Sequence, residues 1–168
     1  MTGLETSRQE KDNFFRTDRQ SPLTTAQKKD FGGLNYYPEN PALQLELKLE
    51  RREHPEQTIL ATSTGDEREY THVGQVRFNV NGQEATLQVY EADYGFFLPF
   101  ADATSADETY GAGRYLEPEE YQPGWLAVDF NLAYNPYCAY NELWSCPLPP
   151  SANRIKVKIE AGEKKFHD

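Results

Sequence analysis

The chain contains no run of eighteen apolar residues, so it encodes no helix able to cross a bilayer. Its opening segment, Met1 to Phe15, is charged and lacks the apolar stretch of a secretory signal, so a soluble, cytoplasmic protein is expected. Cysteine is scarce. Cys138 and Cys146 are too few for a disulfide scaffold, and a reducing compartment makes them free thiols in preference to a bridge, although their spacing permits one. Histidine is equally thin: His54, His72 and His167 are scattered and share no short motif with the cysteines, so no zinc centre is expected and no metal ligands are assigned. Positive charge is also short. Seventeen Lys and Arg against 27 Asp and Glu give a formal net charge of -10, which argues against nucleic acid or an anionic membrane as a partner, because both are held by surplus cations.

What is plentiful is aromatic. Rings make up 13% of the chain, enough to expect a core built largely on them. Charge and rings are also unevenly placed. Between Phe78 and Asn153 there are eleven acids and a single cation, Arg114, whereas the rest of the chain is balanced at sixteen against sixteen. Fourteen aromatic residues fall between Tyr90 and Trp144. The stretch from Phe96 to Asn153 is therefore the candidate site, centred on Arg114.

At 168 residues, one domain is expected over 1-168, with a helical segment at 5-30 and a β region at 35-168. Thr6 to Arg19 reads as a surface helix ending before Ser21-Pro22, and Thr24 with Gln27 as a capping box opening a short second helix that stops at Gly32-Gly33. The period then falls to two. Leu43, Leu45, Leu47 and Leu49 alternate with polar residues, and runs at 58-63 and 68-73 flank a turn at Thr64-Gly65-Asp66-Glu67. Asn81-Gly82 demands a type I′ turn, whose register sets Val76 opposite Leu87, Phe78 opposite Ala85 and Arg77 opposite Thr86. Further strands are expected at 96-100, 112-116, 126-133 and 155-160. The class is mainly β: a curled antiparallel sheet or β-barrel-like domain with one or two short N-terminal helices.

Arg114 has two readings. It either pairs with Asp102 or Asp129 to anchor a loop, or marks a ring-lined pocket where its spare donors meet a ligand. In the second case Arg114 holds an anionic or carbonyl group and Asp129 orients it or acts as a base. Asn131, Asn135 and Tyr110 then donate or accept hydrogen bonds, with Tyr115 and Trp125 as walls. On a continuous strand, Asp129 and Asn131 share one face. Asp102 to Glu108 is acidic but lacks an EF-hand pattern, and Gly111-Ala112-Gly113-Arg114 lacks the lysine of a phosphate loop. No cofactor is specified. Cys138 or Cys146 as a nucleophile lacks a sequence-adjacent base, and His72 is the one distant candidate.

Several blocks carry a resemblance: Phe97-Leu98-Pro99-Phe100-Ala101-Asp102, Thr109-Tyr110-Gly111-Ala112-Gly113-Arg114-Tyr115-Leu116, Asp129-Phe130-Asn131 through Tyr134-Asn135-Pro136, Cys138-Ala139-Tyr140, Cys146-Pro147-Leu148-Pro149-Pro150 and Ala161-Gly162-Glu163. With Ser21-Pro22-Leu23 they span nearly the whole chain, which resembles the bacterial and archaeal family called domain of unknown function 1684. That resemblance implies that Asp102, Tyr110, Arg114, Asp129, Asn131, Asn135, Cys138, Tyr140, Cys146 and Asn153 are signature positions, without naming a reaction. It also leads one to expect a glycine near Ser105 or Ala106, where this chain has none. Three functions follow as expectations: a small-molecule pocket around Arg114, a non-enzymatic module docking a protein or glycan, and a hydrolase using Asp102 or Glu108 with Asp129 roughly 5 to 10 Å apart.

Overall fold

The computed structural model describes residues 2-167. Helix α1 (Gly3–Thr17) begins earlier than the Thr6 start expected from sequence, because Thr2 and Glu5 form a reciprocal capping box. The second helix, α2 (Thr25–Lys29), opens on the Thr24 and Gln27 box. α1 packs on the C-terminal loops through a ring cluster in which Phe15 meets Tyr140 edge to face at 5.0 Å, and α2 reaches them through Gln27 Nε2, which donates to Tyr140 O at 2.7 Å.

Among the described residues eight strands follow: β1 (Gln44–Lys48), β2 (Glu50–Ala61), β3 (Glu67–Val80), β4 (Gln83–Ala92), β5 (Gly95–Phe100), β6 (Arg114–Leu116), β7 (Glu119–Gln122) and β8 (Trp125–Asp129). They form two antiparallel sheets, one ordered β2-β3-β4-β5-β6 and the other β1-β8-β7. The class is mainly β, but the sheets do not close into a barrel. Leu49, the one residue between β1 and β2, carries the chain from the small sheet to the large one, its N–H donating to Gly124 O in the β7–β8 turn at 2.8 Å, while the edge strands β6 and β7 do not pair with each other.

The β3–β4 hairpin has the expected register, with Val76 opposite Leu87, Phe78 opposite Ala85 and Arg77 opposite Thr86. Asn81 and Gly82 both have positive φ, 50° and 83°, as a type I′ turn requires. Its apolar face joins Leu98 and Phe100 of β5, Leu116 of β6, Leu126 and Val128 of β8, and Val157 and Ile159 in the main core between the sheets. Across the large sheet lies a smaller cluster of Leu60, Tyr70, Tyr90, Phe97, Tyr115 and Cys146. Strand β5 thus faces two cores, Leu98 and Phe100 one, Phe97 the other.

Two expected strands differ. The run 126-133 ends as a strand at Asp129, whose carboxylate accepts from Asn131 N and caps a 3-10 turn over Phe130–Leu132. Asp129 and Asn131 therefore do not lie along one strand face. Residues 155-160 bury Val157 and Ile159 with the expected alternation but form no ladder. Their main chain is satisfied instead by loop groups: Ile155 N donates to Ala101 O, Ala103 N to Val157 O, and Ile159 N to Asp102 Oδ2.

Candidate functional site

Alternation along β6 decides what Arg114 touches. Tyr115 joins the ring cluster on one face of the sheet, so Arg114 and Leu116 point to the other. Arg114 is only 1% exposed. Its Nη1 donates to Ala161 O and Glu163 O, and its Nη2 to Ile159 O at 2.9 Å and Asp102 Oδ1 at 3.3 Å. The guanidinium lies 5.2 Å from the centre of the Phe100 ring, and Nε has no hydrogen-bond partner. Burial pulls its pKa downward and the Asp102 carboxylate opposes that, but an arginine stays charged regardless. Asp102 is equally committed, accepting from Thr104 and from Ile159 N as well. Together the pair grips the C-terminal segment 159-163.

Glycines allow the grip. Gly113 has φ +105°, and a Cβ there would sit 2.6 Å from Phe100 O, inside the β5–β6 contact. Gly162 has φ +81°, and a Cβ there would sit 2.7 Å from Ala133 O. Both positions exclude side chains because backbones meet there.

The other signature residues fall into separate places. Asn153 is fully buried and bridges strands, accepting from Gln88 N at 2.7 Å and donating to Gln88 O and Pro99 O. Asn131 bonds both main-chain groups of Asn40, while Asp129 accepts from Asn131 and from Gln44 Nε2. Asn135 N and the Tyr140 hydroxyl both donate to Glu163 Oε1. Burial, then the Glu163 charge, pushes the Tyr140 phenol well above its ordinary value. Glu163 is 2% exposed and forms an ion pair with Lys11 from α1. Sequence reasoning assigned no role to Glu163 or Lys11; Glu163 stood in a recognised block, but nothing local signalled a partner on the first helix. Asp102, Asp129 and Arg114 do not converge on one cavity, and Trp125 sits on the other sheet.

A cleft does open on the opposite face, against Tyr115. It has a volume of 290 Å³ and is walled by Tyr70, Tyr94, Phe97, Tyr115, Tyr137 and Trp144, with Cys146 and Arg68 also in its lining. Phe97 anchors the wall, stacked on Tyr70 at 5.1 Å and edge-on to Tyr115 at 4.8 Å. Trp144 meets Tyr137 at 5.1 Å, while Tyr94 is largely exposed. Arg68 donates to Ser145 O at 2.6 Å, tying the 144-147 loop to the β2–β3 hairpin. A second, larger depression of 470 Å³ adjoins the cleft, sharing Arg68, Tyr70 and Tyr94 and adding Glu69, Glu91 and Asp93.

The two thiols meet beside this cleft. Cys138 N donates to Cys146 Sγ at 3.2 Å, and the Tyr110 hydroxyl donates to Cys138 Sγ at 3.6 Å. Cys146 is pinned from outside by Ser63, whose Oγ accepts from Cys146 N and whose N donates to Cys146 O. The neighbouring Cys146 thiol lowers the Cys138 pKa to about 6, against the effect of burial and with help from the Tyr110 hydroxyl. Cys146 moves upward in response. His72 takes no part: it bonds Gln88 Oε1 and lies against the Tyr90 ring. Among the described residues, no group of three or more His, Cys, Asp or Glu is placed to hold a metal, and no helix is long and apolar enough to cross a membrane.

No curated protein matches the chain. An uncharacterised protein of Haloarcula marismortui, solved by solution NMR, is similar in sequence and fold, with 36% identity, a TM-score of 0.72, and 96% of this chain and 91% of that one covered. The family model described as protein of unknown function, DUF1684, matches residues 29–164. The clamp on 159-163, the buried asparagines and the paired thiols all lie within that matched span, and the chain belongs to the DUF1684 family.

Proposed function

We propose that this protein binds a small organic molecule in the ring-walled cleft on the Tyr115 face, with Arg114, Asp102, Asn153 and Asn135 as the frame that holds it. The ligand class is a planar or apolar body bearing a basic group. The observation that carries this reading is the junction of the two depressions at Arg68, Tyr70 and Tyr94. Rings offer their faces to an apolar or cationic group, and beyond them three carboxylates, Glu69, Glu91 and Asp93, outnumber the one arginine. The cleft is close to the lower end of ligand-site volumes, roughly 300 Å³. A ligand held by Arg114 itself is disfavoured, since both of its terminal nitrogens are spent on protein oxygens.

A hydrolase reading has little support: Asp102 is locked to Arg114 and Thr104, Glu108 accepts from the Tyr37 hydroxyl, and Asp129 caps its own turn. The test is a matched set of planar aromatic amines and carboxylates on the same ring body, read by thermal denaturation and tryptophan fluorescence. Amines stabilise the protein and perturb Trp144, and Tyr94→Ala abolishes the effect. Equal response to the carboxylates, or an unaltered response in Tyr94→Ala, overturns the assignment.

A further inference from the structure

Cys138 and Cys146 form a chemical site that the ligand reading does not use and on which it does not depend. Four features of their setting matter. The main-chain N–H of Cys138 is bound to the Cys146 sulfur, which fixes the two residues side by side across seven intervening positions. Tyr110 donates to the Cys138 sulfur from a different loop, a contact that favours the thiolate. Cys138 is half-buried while Cys146 is buried in the cleft lining, so Cys138 is the more exposed residue of the two. Finally, Cys146 is held by Ser63 while Cys138 sits in a 3-10 turn followed by the loop 141-145, which contains no helix or strand.

We propose that this pair is a peroxide-reactive dithiol, with Cys138 as the attacking sulfur and Cys146 as the resolving one. The oxidant is a hydroperoxide, ROOH. The Cys138 thiolate attacks the terminal peroxide oxygen, the O–O bond breaks, and the departing alkoxide takes up the proton that Cys138 released, giving ROH and a sulfenic acid on Cys138. The Cys146 sulfur then attacks the Cys138 sulfur, the S–O bond breaks, and hydroxide leaves with the Cys146 proton as water. In sum, two thiols and ROOH give a disulfide, ROH and water, with both sulfurs oxidised and the peroxide reduced. The lowered pKa of Cys138 keeps its thiolate abundant at neutral pH without a histidine base.

The experiment treats the reduced, folded chain with equimolar hydrogen peroxide and follows intact mass and a non-reducing peptide map. The expected product is lighter by two hydrogens and carries a Cys138–Cys146 crosslink that dithiothreitol reverses. Cys146→Ser stops at a dimedone-trappable sulfenic acid on Cys138, and Cys138→Ser gives neither product. Folded wild-type protein reacts at least about tenfold faster than the same chain unfolded in guanidinium, where both thiols are ordinary. Should either variant fail to fold, the wild-type chain alone decides: alkylation of Cys138 by iodoacetamide has a midpoint near pH 6 rather than at the ordinary thiol value. A midpoint at that ordinary value, a crosslink only between chains, or folded and unfolded rates that agree would overturn the proposal.

Discussion

On β6, Arg114 points into the main core and spends four hydrogen bonds on the segment 159-163 and on Asp102. Tyr115, one residue further, points across the sheet to the cleft, where its ring meets Phe97 at 4.8 Å and Tyr134 at 5.8 Å. The Arg114 face is closed, while the Tyr115 face reaches solvent through Tyr94 and Trp144. The difference teaches that the most conspicuous charge in the acidic stretch is part of the frame, and that the surface available for binding is built by the rings around it. A buried cation with protein oxygens on both terminal nitrogens keeps only its Nε–H, which is sealed from solvent, and removing the side chain exposes those oxygens to an apolar core.

Variants can break this comparison at graded cost. Arg114→Ala strands Asp102 and three carbonyls, and is expected to cost about 3–5 kcal/mol, enough to unfold much of the population at 37 °C or to lower the denaturation midpoint sharply in urea. Arg114→Lys recovers little of that, because one ammonium cannot span carbonyls at 159, 161 and 163. Asn153→Ala leaves Gln88 N, Gln88 O and Pro99 O without their partner and is expected to cost ~1–3 kcal/mol by chemical denaturation. Ala106→Gly works in the opposite direction. Ala106 has φ +72°, where an L side chain is strained, so glycine is expected to stabilise by about 1 kcal/mol. Smallest of all, Tyr94→Ala is expected to change stability by no more than ~0.5 kcal/mol, because the ring is largely exposed, while removing the response to aromatic amines. A large loss of stability in Tyr94→Ala, or a mild one in Arg114→Ala, would reverse the roles of the two faces.

Much of this was legible in the sequence where the signal was local. Asn81-Gly82 fixed a register because both residues tolerate positive φ and the flanking runs alternate. Pairing of Arg114 with Asp102 was one of two readings, and the missing glycine in the loop after Thr104 reappears as the strained Ala106. What stayed hidden depends on distant partners. Nothing near Glu163 announces that Lys11 of the first helix will neutralise it. Residues 155-160 carry a strand's alternation, yet Asp102 and Arg114 supply the bonds that a neighbouring strand would have given. The face on which Arg114 ends up follows from period two once β6 is known, but Tyr110, Cys138 and Cys146 converge only through loops. Closure of the sheets was equally non-local, since it depends on the edge strands β6 and β7, which do not pair.

The most direct test of the division between the faces is a titration of the 15N-labelled chain with a planar aromatic amine, followed by two-dimensional NMR. Shifts are expected at the Trp144 indole N–H and at the amides of Arg68, Tyr94 and Ser145, with the Arg114 side chain and the amides of 159-163 unmoved. Shifts centred on Arg114 and on 159-163, with the cleft residues silent, would contradict it.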